Sequence, residues 1–323
     1  MKKDKEYPIK YDDSYAVVTA NDLIKGRQKM SLRESQLFAI AISQIVKDDK
    51  DLKTYTTTIP ELAEFMGVEQ SNLYRDIKGL CRSLCSRVVE ISTLTPKKKP
   101  QWEIFHLVSS AKYDGETLTL RLSDDIKPFV IELEKNYSQP MLGVLMSFRS
   151  YYASRLYQYC LAESGKSKSG KEEWSFTCDE LRELFQTYEK DNDGNITKVL
   201  YQQNRDLLLR TIIPALAELH SSDFAFVFDY SELRQHKPGQ RGQASVFGVS
   251  FKLMFFKDKA EKERMVNALI KGVEVKGGKV IPFGEEPKKK KKKKATQKKN
   301  AKPKFEQTTF EGCEDMPEPP VDK

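Results

Sequence analysis

In ITKVLYQQNRDLLLRTIIPALAELH, residues 196–220, Lys198, Gln202 and Arg205 recur at helical spacing, with Gln203 and Arg210 beside them. Arg and Gln make the paired hydrogen bonds that match guanine and adenine edges in a major groove, while Lys anchors phosphate. A helix presenting this stripe reads DNA if a neighbouring element holds it against the groove; otherwise the stripe is a solvated face. A second basic stripe lies on EQSNLYRDIKGLCRSLCSR, residues 69–87, where Ser71, Arg75, Lys78 and Arg82 fall opposite Leu73, Ile77, Leu80 and Leu84. Two loops, read as the wings of the two halves, add cations: Lys97, Lys98 and Lys99 in PKKKPQ, and Arg234, Lys237 and Arg241 in SELRQHKPGQRGQ. Loops charged in this way reach flanking phosphates or a minor groove.

Catalytic chemistry finds less support. GKSKSGKE, residues 165–172, matches a phosphate-loop pattern through Gly165, Gly170 and Lys171, but Glu172 stands where a magnesium-binding Ser or Thr is needed, and the loop follows a helical pattern instead of a strand. It reads as a solvated basic turn. DNDGN, residues 191–195, lacks the glycine and the bidentate carboxylate of a calcium loop at the required places. The three histidines, His106, His220 and His236, are too far apart in sequence for a histidine metal pair. Five cysteines, with no C-x-x-C spacing, read as thiols of a reducing, cytoplasmic compartment, and Cys81 and Cys85, one helical turn apart, as core filler. A Ser or Cys nucleophile is not marked by any pattern. The expectation is a protein without catalytic residues, metal or cofactor.

The elements that must position the basic stripes begin with a repeated phrase. TIPELAEFM at 58–66 and TCDELRELF at 177–185 share T-x-x-E-L-x-E. Thr followed three residues later by Glu is a capping box: the hydroxyl takes an orphan amide and the carboxylate returns the bond to the cap. Each copy therefore opens a short helix, with Pro60 tolerated in the first turn and Gly67 stopping the first copy. The stripe at 69–87 comes directly after, which makes a helix-turn-helix. A helix over about 31–47, capped by Ser31, precedes it; strands in VVEIST, WEIFHLVSSAKY and TLTLRL succeed it, the last two joined at Asp114-Gly115. The second half repeats the order. SFRSYYASRLYQYCLAES is a helix with Tyr152, Leu156, Tyr159 and Cys160 inward, the capped helix comes next, then one long helix over 196–220, then strands FAFVFDY and ASVFGVSFKLMFF.

The predicted fold class is therefore α+β, two tandem winged-helix domains. The expected divisions are an arm over 1–14, a first winged helix over 15–134, a junction over 135–144, a second winged helix over 145–284 and a tail over 285–323. In that tail Lys288 to Lys294 are consecutive, and 12 lysines against 8 carboxylates give it +4 of the chain's +8. Such a segment cannot offset its chain entropy by burial and is expected to be disordered, adding only sequence-independent attraction to DNA. The chain's 323 residues allow two cores, although one large domain is also compatible, and a pI near 9.0 points to a polyanionic partner. No run is long and apolar enough for a membrane span, and no membrane partner is expected.

DLIKGRQKMSLRESQLFAIAISQI, SYYASRLYQYCL and RTIIPALAELH resemble the iteron-binding replication initiators of theta-replicating plasmids, over roughly residues 15–257. The resemblance implies monomers bound to tandem origin repeats, opening of adjacent AT-rich DNA, and recruitment of the host initiator and replicative helicase machinery. It also implies a homodimer in equilibrium with monomer, joined through the first winged helix and repressing its own promoter at an inverted repeat. The main base reader would be the second domain's long helix, through Lys198, Gln202, Gln203, Arg205 and Arg210, with Ser71, Arg75 and Lys78 auxiliary. Two alternatives stay open: a dimeric winged-helix regulator without initiator activity, and a nucleic-acid enzyme with an unrecognised site.

Overall fold

The structure, a computed structural model, describes residues 6–94, 98–131, 133–164, 172–191, 195–236 and 242–270. The tail over 285–323 and the segment 165–171 of the GKSKSGKE turn lie outside the described residues.

In chain order the first half comprises β1 (Glu6–Pro8), β2 (Thr19–Ala20), α1 (Asn21–Lys25), β3 (Arg27–Gln28), α2 (Leu32–Ser43), β4 (Thr54–Thr58), α3 (Ile59–Phe65), α4 (Gln70–Ser86), β5 (Val88–Leu94), β6 (Pro100–His106), β7 (Val108–Tyr113) and β8 (Thr117–Leu122). The capping box of α2 forms as its sequence dictates, since Ser31 Oγ accepts the Glu34 amide and Glu34 accepts the Ser31 amide. The helix ends at Ser43 instead of running to 47, because Gln44 turns its side chain to the Lys10 backbone, accepting at 2.8 Å and donating at 3.0 Å. That bond also fastens the N-terminal arm, whose β1 runs parallel to β4 with Tyr7 opposite Tyr55.

Thr58 is at once the last residue of β4 and the cap of α3: its Oγ1 accepts the Glu61 amide, and Glu61 Oε2 accepts the Thr58 amide at 3.1 Å. Gly67, at φ +62°, closes the helix in the left-handed conformation that glycine adopts at no steric cost. Then α4 buries Leu73, Ile77, Cys81 and Leu84, so α3 and α4 are the expected helix-turn-helix. The stretch read as one strand over 102–113 is broken at Leu107, which is fully buried and whose amide bonds to the Arg87 carbonyl. On either side of that break, β6 joins a sheet of order β3-β5-β6 and β7 joins one of order β1-β4-β8-β7.

The connection consists of a 3-10 turn, α5 (Lys127–Val130), β9 (Tyr137–Ser138) and α6 (Leu142–Ser147). The expected junction at 135–144 is pinned rather than free. Its β9 pairs with β2, and the Val17 amide bonds to the Pro140 carbonyl at 2.8 Å and the Leu142 amide to the Tyr15 carbonyl at 2.7 Å.

The second half comprises α7 (Tyr151–Ser164), β10 (Glu173–Thr177), α8 (Cys178–Phe185), β11 (Tyr188–Lys190), β12 (Ile196–Val199), α9 (Asn204–Leu207), a π turn (Leu208–Ile212), α10 (Ile213–Ser221), β13 (Ala225–Gln235), β14 (Ser245–Phe255) and α11 (Lys259–Ile270). The local logic repeats. Thr177 ends β10 and caps α8, its Oγ1 accepting the Glu180 amide at 3.2 Å and its own amide donating to Glu180 at 2.7 Å. The sheet order β10-β14-β13 reproduces β4-β8-β7. In both halves the strand feeding the capped helix pairs with the last strand of the wing, so each half is a winged helix. Buried side chains of the two halves nonetheless form one continuous cluster, from Leu37, Ile59 and Leu62 to Leu156, Trp174 and Phe251.

One expectation fails here. The long helix predicted over 196–220 begins only at Asn204, and its first part is strand β12. Ile196, Thr197 and Val199 are β-branched and pair back onto β11, with Tyr188 opposite Val199; the Leu200 amide then closes the hairpin on the Thr187 carbonyl at 2.8 Å. The caps yield a direct test. Thr177→Ala should cost about 1 kcal/mol of stability, the usual loss of a side-chain cap, measured by urea unfolding; an unchanged midpoint would show that the box contributes nothing.

Candidate nucleic-acid interface

The residues expected on one helical stripe occupy three different elements. Lys198 lies on β12 opposite Glu189, Gln202 in the link after it, Gln203 at the N-cap of α9, Arg205 in its first turn, and Arg210 within the π turn. A straight stripe from Lys198 to Arg205 does not exist, because the chain leaves the hairpin before the helix starts. The five residues are all exposed and cluster within and just before the start of one helix.

That helix start is held by two residues the sequence reading did not single out. Arg182 of α8 pairs with Asp179 and donates to the carbonyls of Tyr201 and Gln202 at 3.3 Å and to Asn204 Oδ1 at 2.9 Å. Asn204 Nδ2 donates in turn to the Val246 carbonyl on β14 at 2.9 Å. One network thus fixes the angle between the first helix, the reading helix and the wing. Its only trace in the sequence is the Arg inside the second capped helix, and the carbonyls it holds are about twenty residues away.

Behind this start, Leu207, Leu208, Thr211, Ile212, Ala215, Leu216 and Leu219 are buried, while Arg205 and Arg210 are exposed and make no ion pair among the described residues. The π turn has a cause in Pro214: it offers no amide to the Arg210 carbonyl and its ring crowds that oxygen, so the Ile213 amide bonds to Leu208 five residues back. More residues per turn rotate Arg210 toward the face of Arg205.

In the first half, Ser71, Arg75 and Lys78 are exposed on α4, opposite its buried face, as predicted. Arg75 is partly committed: its fork engages the neighbouring Asp76 at 2.8 and 3.1 Å, which holds that carboxyl below its ordinary range. The lysine loop needs correction. By the repeated sheet order the first wing is β7–β8, whose tip is Asp114-Gly115, with Asp114 Oδ1 accepting the Glu116 and Thr117 amides. Lys98 and Lys99 sit instead between β5 and β6, on a separate hairpin that pairs with β3; Lys97 lies outside the described residues. On the second wing Arg234 is exposed on β13, held by Glu232 at 2.5 Å and by the Ala244 carbonyl at 3.1 Å, while Lys237 and Arg241 lie outside the described residues.

His220, Cys81 and Cys178 serve structure among the described residues. His220 Nδ1 meets the Val227 carbonyl at 2.8 Å. Burial pushes the thiol of Cys81 up to about 12 and that of Cys178 up to about 11, so neither supplies a thiolate near neutrality. Among the described residues no group of three or more His, Cys, Asp or Glu could hold a metal ion, and no helix is long and apolar enough to cross a membrane.

Comparison with known proteins gives three findings. Residues 16–161 match the family described as initiator replication protein, WH1. A curated replication initiation protein of Escherichia coli is 27% identical over 170 residues, 51% of this chain and 52% of that protein, so the match spans about half the length of that relative. The crystal structure of Pi initiator protein in complex with iteron DNA superposes with a TM-score of 0.56 at 19% identity, covering 76% of this chain and all of that one, which shows a shared fold. The resemblance to replication initiators read from the sequence is borne out, and so is the α+β winged-helix class.

Proposed function

We propose that this chain is a plasmid replication initiator that binds tandem origin repeats as a monomer, with the second winged helix as main base reader. The observation that carries the reading is the repeat of β4-β8-β7 as β10-β14-β13 around two helix-turn-helix units in one chain. Two unequal readers on a common core suit an asymmetric site without a partner subunit, whereas a dimeric regulator needs one reader per chain and a palindrome. The Pi initiator, with which the fold is shared, was crystallised on iteron DNA.

In this reading residues 15–134 supply auxiliary contacts through Ser71, Arg75 and Lys78 together with the dimer surface, and residues 145–284 read bases through Gln202, Gln203, Arg205 and Arg210. Lys198, Arg234, Lys237 and Arg241 meet backbone phosphates, and Lys97, Lys98 and Lys99 reach them from the β5–β6 hairpin. Dimerisation is supported by β6, which among the described residues is an unpaired edge of its sheet and carries Trp102 at 67% exposure and Ile104 at 52%. An exposed edge strand with large apolar side chains invites pairing with another strand. The dimer would repress the chain's own promoter at an inverted repeat. The monomer would open the origin and recruit the host initiator and helicase in the bacterial cytoplasm.

Mobility shifts on DNA carrying direct repeats of about two helical turns test this. The expected result is a ladder with as many steps as repeats, each adding one protomer, and replication of a plasmid that carries the same DNA. A single step of dimer stoichiometry, with no support of replication, would favour the regulator instead.

A further inference from the structure

Glu189, on β11, sits between two lysines from opposite halves of the chain. Lys29, just after β3, and Lys198, its cross-strand neighbour on β12, each bring Nζ to 3.6 Å from the same oxygen, Oε1. All three side chains are strongly exposed, at 57%, 60% and 49% for Lys29, Lys198 and Glu189. Neither ammonium has another polar partner among the described residues. One carboxylate cannot neutralise two ammoniums, so the cluster keeps an uncompensated positive charge, and exposed ion pairs of this length hold their partners weakly.

Its place in the fold gives that charge a direction. The hairpin β11–β12 is inserted between α8 and the reading helix, where the first half has only a short turn. Its base is closed by the bond between Leu200 and Thr187, and Arg182 grips the next two carbonyls, so Lys198 is tied to the helix cap at Gln203 through a braced link. Five residues of chain span at most about 17 Å, so Lys198 stays within the length of duplex that the reading helix faces. Lys29 brings the first half to the same point.

We propose that Lys29 and Lys198 form a phosphate clamp that joins the two halves on one DNA strand, and that Glu189 is its internal stand-in. In the free protein the carboxylate attracts both ammoniums to one point, weakly enough to give them up. On the duplex a phosphate takes the ammoniums over, and the release of counterions from the DNA drives the exchange. This rests on the DNA-binding reading above and adds to it a third point of contact, between the two helix-turn-helix units, together with an acidic group that opposes binding.

The test is the salt dependence of binding to repeat and scrambled duplexes for the full chain and for Lys29→Gln, Lys198→Gln, the double variant and Glu189→Gln, each checked by thermal unfolding. Each lysine variant should lower the slope of log affinity against log salt by about one unit, and the double by about two, with sequence ranking unchanged. Between 50 and 200 mM salt, one unit means about a fourfold smaller loss of affinity. Glu189→Gln should bind both duplexes more tightly at low salt. An unchanged slope for Lys29→Gln with a lowered melting temperature would reduce Lys29 to a contact between the halves and overturn the clamp; weaker binding by Glu189→Gln would overturn the stand-in. A wild-type chain that binds both duplexes equally would sink the initiator reading while the slopes still decide the clamp, and one that binds no duplex would sink both.

Discussion

Arg155→Met is expected to lower the free energy of unfolding by about 3–5 kcal/mol, a loss at the upper end for a single substitution. Arg155, in the RLY segment of α7, is 3% exposed and has no carboxylate partner among the described residues. Its guanidinium donates to three backbone carbonyls: Ile24, Gly26 at 2.8 Å and Leu184 at 3.4 Å. Those oxygens lie at or beyond the ends of α1 and α8, where carbonyls have no partner within the helix and the helix dipole is negative. Burial pulls the guanidinium below its ordinary pKa, yet arginine stays protonated in proteins, so the charge must be met by these acceptors. Methionine fills much of the volume and relieves the cost of burying a charge, but it leaves three carbonyls dry at about 1–3 kcal/mol each, and that loss dominates. Arg155→Lys should lie between, because one ammonium cannot reproduce a planar fork. Urea unfolding measures both. Since Ile24 and Gly26 belong to the first half and Leu184 to the second, Arg155→Met should also separate the transition into two steps; a loss below about 1 kcal/mol with a single transition would show that the carbonyls find water instead.

The second large effect concerns reading rather than folding. Arg205→Ala should cost about 1–3 kcal/mol on the cognate repeat and relax preference at one base position, the discrimination of one bidentate contact. The geometry favours Arg205 over its neighbours for this role: it lies in the first turn of the reading helix, exposed and without an ion pair among the described residues, while Arg182 and Asn204 fix the angle of that turn. Because the side chain is exposed, stability should change by less than about 0.5 kcal/mol, which separates lost contact from lost fold. Isotherms on repeats with single base changes decide it; equal preference in variant and wild type would return Arg205 to a solvated face.

Much of the fold was legible because its signals are local. A capping box needs only residues three apart, and Thr58, Thr177 and Ser31 all cap as read. The buried face of α4 comes from helical spacing, and Asp114-Gly115 turns because glycine accepts φ +111°. The stretch 196–199 misled for the opposite reason. Its apolar and basic residues fit a helical period when joined to residues 200–220, although Ile196, Thr197 and Val199 favour strand, and only the partner strand β11 decides between the two.

The sequence by itself determined the two capped helices, each followed by a helix with a basic outer face and by a wing, in an α+β chain, but not the β11–β12 hairpin between α8 and α9. Tertiary structure alone decided which hairpin is the wing, since the choice between β5–β6 and β7–β8 depends on whether β4 or β3 offers the free edge. It decided where the reading helix begins, through Arg182 and Asn204, and that the junction is pinned and Arg155 buried between the halves. Those outcomes depend on backbone amides and carbonyls finding partners far along the chain. Nearly every residue carries the same backbone groups, so side-chain pattern does not mark which of them will meet.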